Sequence, residues 1–166
     1  MQSGCLTENL AAVPVTVYGE AKDRLRQYLQ TKAMQGELQL IWLRLFYLYG
    51  SGQAPTSLYS QLAAAISANA TSFPMSPGDQ ERDFLPVESA AEKICRLALT
   101  KPDAGIVNLC SGEPKKVSTV VNDWLKNWDA EIELDTGVYA YPDYEPHSFW
   151  GSTEKLDALL RESRHA

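Results

Sequence analysis

From Leu38 to Tyr49 the chain reads LQLIWLRLFYLY, apolar almost throughout and interrupted only by Gln39 and Arg44. A strand with one wet face alternates polar and apolar side chains, whereas a strand covered on both faces does not need to. The run therefore predicts one strand buried on both faces, as in a parallel sheet, ended by the turn Tyr49-Gly50-Ser51-Gly52. Parallel strands require crossover connections, and the flanking segments have the right character for helices.

Upstream, residues 1–15 are polar, end in Val-Pro-Val and read as a loop. Thr16 starts a helix that runs to about Lys32, with Ala21, Leu25, Tyr28 and Leu29 on one face and Gly36 closing it. Downstream, SLYSQLAAAISANA is an alanine-rich second helix, and FPMSPGDQERD, with two prolines and a glycine, reads as loop. The short apolar FLPV leads into a helix from about Glu88 to Leu99, and GIVNLCSG is another short buried strand. VSTVVNDWLKNW carries Val117, Val120, Val121, Trp124 and Leu125 as one helical stripe. EIELD alternates, YAYPDYEPHSFWG is an aromatic loop, and STEKLDALLRES is a closing helix with Ser152 and Lys155 near its start. Strands alternating with helices predict an α/β fold.

Composition narrows the classes. With 166 residues, 45% of them hydrophobic, one respectable core is expected. Fifteen Lys and Arg against twenty-one Asp and Glu give a net charge of −6 with no basic run, which argues against a nucleic-acid surface. Cys5, Cys95 and Cys110 form no CxxC pair and only two histidines are present, so neither a disulfide framework nor a zinc site is suggested. No basic leader or long apolar stretch marks a secretory or membrane segment, so a cytoplasmic protein is expected.

Among candidate chemical groups, Tyr18 and Lys22 are spaced to share one face of the first helix. A neighbouring ammonium favours a phenolate, which would make the tyrosine useful for proton transfer. An isolated YxxxK is more often an ordinary surface pair. Arg44, charged within an apolar strand, needs partners, and a structural role is its commoner fate. Arg82, in Gln80-Glu81-Arg82-Asp83, reads as a loop arginine with a free fork, suited to a phosphate or simply solvated. Tyr139, Tyr141, Tyr144, Phe149 and Trp150, with His147 among them, could stack on a base or sugar, but core packing is the commoner use of such residues. Neither His147 nor His165 has companions that point to a metal.

Taken in order, four motifs resemble the extended short-chain dehydrogenase/reductases of the NAD-dependent epimerase/dehydratase type, which modify nucleotide sugars. They are the proline-led Tyr18-to-Lys22 helix start, the strand ending Arg44-Leu45-Phe46-Tyr47-Leu48-Tyr49-Gly50, the segment Gly78-Asp79-Gln80-Glu81-Arg82-Asp83-Phe84, and Asn108-Leu109-Cys110-Ser111-Gly112-Glu113-Pro114. The closing YEPHSFWGSTEKL is similar to the family's substrate-end segment. The resemblance implies the C-terminal part of a Rossmann-like parallel sheet plus a small α/β substrate region. Residues 1–52 would be a truncated remainder of the dinucleotide-binding domain, and residues 53–166 mainly substrate-binding. It implies Tyr18 as acid-base residue and Lys22 on the ribose of NAD or NADP, with Tyr47 also at the cofactor. Arg82, Tyr49 and Gln80 would meet a nucleotide-sugar substrate, and a homodimer is weakly implied. The reaction would be epimerisation, dehydration or 4-keto reduction.

The departures from the family are specific. Its glycine-rich GxxGxxG does not occur, and its catalytic Ser or Thr would lie before Met1, so impaired cofactor binding is expected. Tyr47 stands where many members have Asn, and Asp143 stands where relatives often have Arg. An alternative is a non-catalytic remnant that associates with a complete relative.

Overall fold

A computed structural model of the chain describes residues 2–142 and 145–162. Asp143, Tyr144 and His165, considered above, lie outside the described residues. The local start signals behave as the sequence predicts. Thr16, in extended backbone, accepts the Gly19 N–H through its hydroxyl at 3.0 Å and caps α1 (Val17–Met34), and Gly36 at φ +76° turns the chain away at the other end. Ser57 caps α2 (Leu58–Ser67) in the same way, accepting the Ser60 N–H at 3.2 Å. α3 (Val87–Thr100), α4 (Val117–Asn127) and α5 (Glu154–Glu162) complete the helices.

The apolar run is not one strand but two, broken at Phe46. β2 (Ile41–Leu45) lies parallel to β6 (Gly105–Leu109), with Ile41 opposite Gly105 and Leu45 opposite Leu109. β3 (Tyr47–Tyr49) lies parallel to β5 (Glu81–Pro86), with Tyr47 opposite Phe84 and Tyr49 opposite Pro86. The chain thus changes neighbours at Phe46, whose N–H still donates to Leu109 O at 3.3 Å. Burial on both faces also fails here, since Leu45 and Tyr47 are exposed. Covering both faces needs a layer packed on each, and α1, the helix before the run, buries none of its residues.

Three segments read as loop, residues 1–15, FPMSPGDQERD and YAYPDYEPHSFWG, contain strands. β1 (Gly4–Leu6) pairs in parallel with β9 (Phe149–Gly151), and β4 (Ser72–Met75) pairs in parallel with β8 (Glu133–Thr136). Pro74 is tolerated because β4 is hydrogen-bonded on one side only, and Phe73 and Met75 point inward on either side of it. β7 (Pro114–Lys116) adds to β5 antiparallel, giving the order β3-β5-β7.

Apolar side chains gather in two places. One cluster joins Leu62 of α2, Phe73 and Met75 of β4, and Val120, Val121, Trp124 and Leu125 of α4, the stripe read from sequence. The other joins Leu85, Ala90, Leu97, Val107, Leu109, Leu156 and Leu160, packing α3 and α5 against β5 and β6. The edge of β6 away from β2 is closed by side chains. Lys155 donates to Ala104 O at 2.8 Å and Ile106 O at 2.6 Å, and Glu8 accepts the Asn108 N–H at 3.0 Å. Together these elements make the α/β architecture with parallel strands that the sequence predicts.

Candidate functional site

Side chains two apart on a strand share a face, so Tyr47 and Tyr49 of β3 project together, as do Arg82 and Phe84 of β5 and the preceding Gln80. The parallel pairing of β3 and β5 sets these two rows side by side. All five line one cavity of about 380 Å³, closed by Gln53, Tyr59 of α2, Trp124 of α4 and Glu145.

One wall of the cavity is aromatic. Tyr49 lies 5.1 Å from Trp124, 5.9 Å from Tyr59 and 6.5 Å from Phe84, ring centroid to centroid. Burial pushes the Tyr49 phenol up. The other end is charged, and there the loop arginine expected from sequence proves to be a strand residue only 2% exposed. Arg82 Nη1 donates to Glu81 O at 2.8 Å and His147 O at 2.9 Å, and Nη2 donates to Glu145 Oε2 at 2.9 Å. Its guanidinium also lies 4.7 Å from the Phe149 ring and 5.9 Å from the Tyr47 ring. The reason for the difference is long-range, because the segment from Glu145 to Phe149 closes over β5 and supplies the partners. The Tyr47 phenol is pushed up by burial, and Arg82 pulls it partly back.

Tyr18 and Lys22 sit elsewhere. They share one face of α1, with Lys22 Nζ 5.6 Å from the Tyr18 ring centroid, and Tyr18 is 72% exposed. Neither lines the cavity. The first turn of α1 does border a second hollow of about 520 Å³, which Thr16 and Gly19 line together with Pro146 and Phe149. Phe149 is the link between the two regions, since its ring lines this hollow and packs on Arg82.

Arg44 is structural, as its position suggested. Its guanidinium donates to Thr7 O at 3.5 Å, Glu8 O at 3.3 Å and Leu10 O at 3.2 Å, tying the N-terminal segment to β2. Of the aromatic loop, Phe149 packs against Phe46 and Tyr47, Tyr139 is exposed, and Tyr141 donates its hydroxyl to Asp79.

Sequence reasoning passed over Glu145, Gln53 and Trp124 as cavity residues. Trp124 was read as core, which it also is. Gln53 followed a turn glycine and carried no signal; in the structure it bridges Leu48 O at 2.7 Å and the Ser57 hydroxyl at 3.4 Å. Glu145 lay in plain view in the YEP segment, but its partner is far away in the chain.

The arrangement is a cleft in a parallel α/β fold with an aromatic wall and, at one end, a guanidinium paired with Glu145. The sequence model of the NAD dependent epimerase/dehydratase family matches residues 2–110, and the chain belongs to that family. It is 28% identical over 150 residues to the dTDP-6-deoxy-L-talose 4-dehydrogenase (NAD(+)) of Aggregatibacter actinomycetemcomitans, covering 90% of this chain and 55% of that protein. Its fold is similar to that of the UDP-N-acetylglucosamine 4-epimerase of Methanobrevibacter ruminantium M1, with a TM-score of 0.81 and 20% identity, over 93% of this chain and 50% of that one. It is similar also to the UDP-glucuronic acid 4-epimerase of Bacillus cereus, solved with NAD, with a TM-score of 0.80 and 20% identity, over 97% and 50% of the two chains. The chain therefore spans about half the length of each of these relatives. No helix among the described residues is long and apolar enough to cross a membrane.

Proposed function

We propose that this chain supplies the proton-transfer pair and the nucleotide-sugar site of an NAD- or NADP-dependent epimerase, dehydratase or 4-keto reductase acting on nucleoside-diphosphate sugars. The observation that carries the reading is the convergence of Tyr47, Tyr49, Gln80 and Arg82, from two parallel strands, on one cavity with an aromatic wall and a guanidinium. The wall suits the base and Arg82 the diphosphate. Tyr18 moves a proton to or from a sugar oxygen, and Lys22, standing over its ring, opposes the negative charge left on the phenol. On this reading residues 1–52 carry the proton-transfer pair and residues 53–166 most of the substrate site.

The donor set on α1, one ammonium and one phenol on an exposed helix face, fits the hydroxyls of a nicotinamide ribose. When bound, the nicotinamide supplies hydride acceptance and return. The glycine-rich cradle for its pyrophosphate does not occur in these 166 residues, so weak cofactor binding by this chain is expected.

A second reading, a non-catalytic partner of a complete relative, is favoured by α1, which buries no residue and exposes Val17, Leu25 and Tyr28. One experiment separates the two. The 166-residue chain is titrated with NADH and NADPH by nicotinamide fluorescence, and with UDP and dTDP by calorimetry. Saturable cofactor binding weakened by Lys22→Ala, with nucleotide binding weakened by Arg82→Met, is the expected result. Nucleotide binding without any cofactor binding at millimolar concentration favours the second reading, and binding of neither refutes the proposed site.

A further inference from the structure

The guanidinium of Arg82 is placed without help from Glu145. Two backbone carbonyls, Glu81 O and His147 O, hold Nη1, and the rings of Phe149 and Tyr47 flank the group. These neighbours fix position but carry no charge. A guanidinium buried to this degree needs an anion, and among the described residues Glu145, at 2.9 Å, is its ion-pair partner. Glu145 itself is lightly held. Its side chain is 29% exposed, and among the described residues its other oxygen meets the Tyr47 hydroxyl alone, at 3.5 Å.

The carboxylate also lines the cavity, so a ligand phosphate approaching Arg82 meets a like charge already hydrogen-bonded to it. Arg82 has further N–H groups, but two anions on one buried guanidinium repel each other. We propose that Glu145 is an affinity-setting competitor at the diphosphate position, a carboxylate that a nucleoside diphosphate must displace from Arg82 before it can bind. This rests on the reading of the cavity as a nucleotide-sugar site. Glu145 is thus a positioning residue, not a catalytic one: it neutralises Arg82, and its release makes the forked donor available to phosphate.

The test is calorimetric titration of the parent chain, Glu145→Gln and Glu145→Asp with UDP and dTDP, and with uridine and thymidine as neutral controls. One charge-assisted hydrogen bond freed from competition corresponds to about tenfold in affinity, so Glu145→Gln should bind UDP and dTDP about tenfold more tightly than the parent. Glu145→Asp, whose shorter arm withdraws the charge, should fall between them and serves alone if the glutamine variant does not fold. Uridine and thymidine should bind all three alike. Thermal melting gives an independent sign: Glu145→Gln should melt lower than the parent without nucleotide and gain more from saturating UDP.

Unchanged or weaker UDP binding by the variants, with the parent binding UDP, overturns the inference and leaves the site assignment standing. An equal gain for uridine also overturns it, because a charge acting on phosphate cannot favour a neutral ligand. UDP binding by none of the three chains removes the site assignment and the inference with it.

Discussion

Asp83 and Ser111 are joined twice: Asp83 Oδ1 accepts both the backbone N–H and the hydroxyl of Ser111, each at 2.7 Å. The other carboxylate oxygen accepts the Gly112 N–H at 2.9 Å and the Gly151 N–H at 3.2 Å. A fully buried carboxylate thereby ties β5 to the turn after β6 and to β9, the strand that places the Phe149 ring against Arg82. Asp83→Asn places an amide NH₂ among these donors and removes the charge they share. The expected loss is about 3 kcal/mol or more, read as a lowered urea midpoint, against about 1 kcal/mol for Ser111→Ala.

Arg44 fastens the N-terminal segment through three carbonyls. Arg44→Met keeps the apolar stem and removes every donor, so it should cost about 1–3 kcal/mol. Limited proteolysis distinguishes this from general destabilisation, because cleavage should accelerate first between residues 7 and 15.

Lys155 covers two carbonyls on the free edge of β6. Lys155→Met leaves them unpaired on an edge strand and should lower stability by about 1–3 kcal/mol. It should also raise concentration-dependent association, which light scattering on matched samples reads directly. A variant that stays as stable and as dispersed as the parent contradicts this role.

Cys110 is buried and its thiol is pushed up to about 12, first by burial and then by the carboxylates of Asp83 and Glu8. Iodoacetamide at pH 8 should therefore modify the exposed Cys5 and Cys95 and spare Cys110 until the chain unfolds, as mass spectrometry would count. The linked effect has a definite sign. The folded state holds the proton that the unfolded thiol releases, so stability is fully present below the ordinary value of 9.0 and declines as pH rises from there toward about 12.

Much of the fold was legible because its signals are local. Thr16 and Ser57 are hydroxyls placed to take an N–H three residues on, and the stripe from Val117 to Leu125 needs only the helical period to be read. β4 was not legible, since Pro74 argues against a strand unless the segment is known to be paired on one side only, and its partner lies near Glu133. The single strand expected over Leu38–Tyr49 failed for a related reason: composition can announce a buried strand but cannot say that its neighbour changes at Phe46.

The candidate site divides along the same line. Tyr18 with Lys22 is set by helical spacing, so those residue types and the face they share were determined by the sequence itself. The state of Arg82 was decided only in three dimensions. Its partners Glu145 and His147 stand 63 and 65 residues further along the chain, and hydrogen bonds over such distances depend on how β5 and the segment before β9 are brought together. Short-range hydrogen bonding and side-chain periodicity are written into neighbouring residues; burial, ion pairing and the closing of a cavity arise only when distant segments pack, and those decide what a charged group can do.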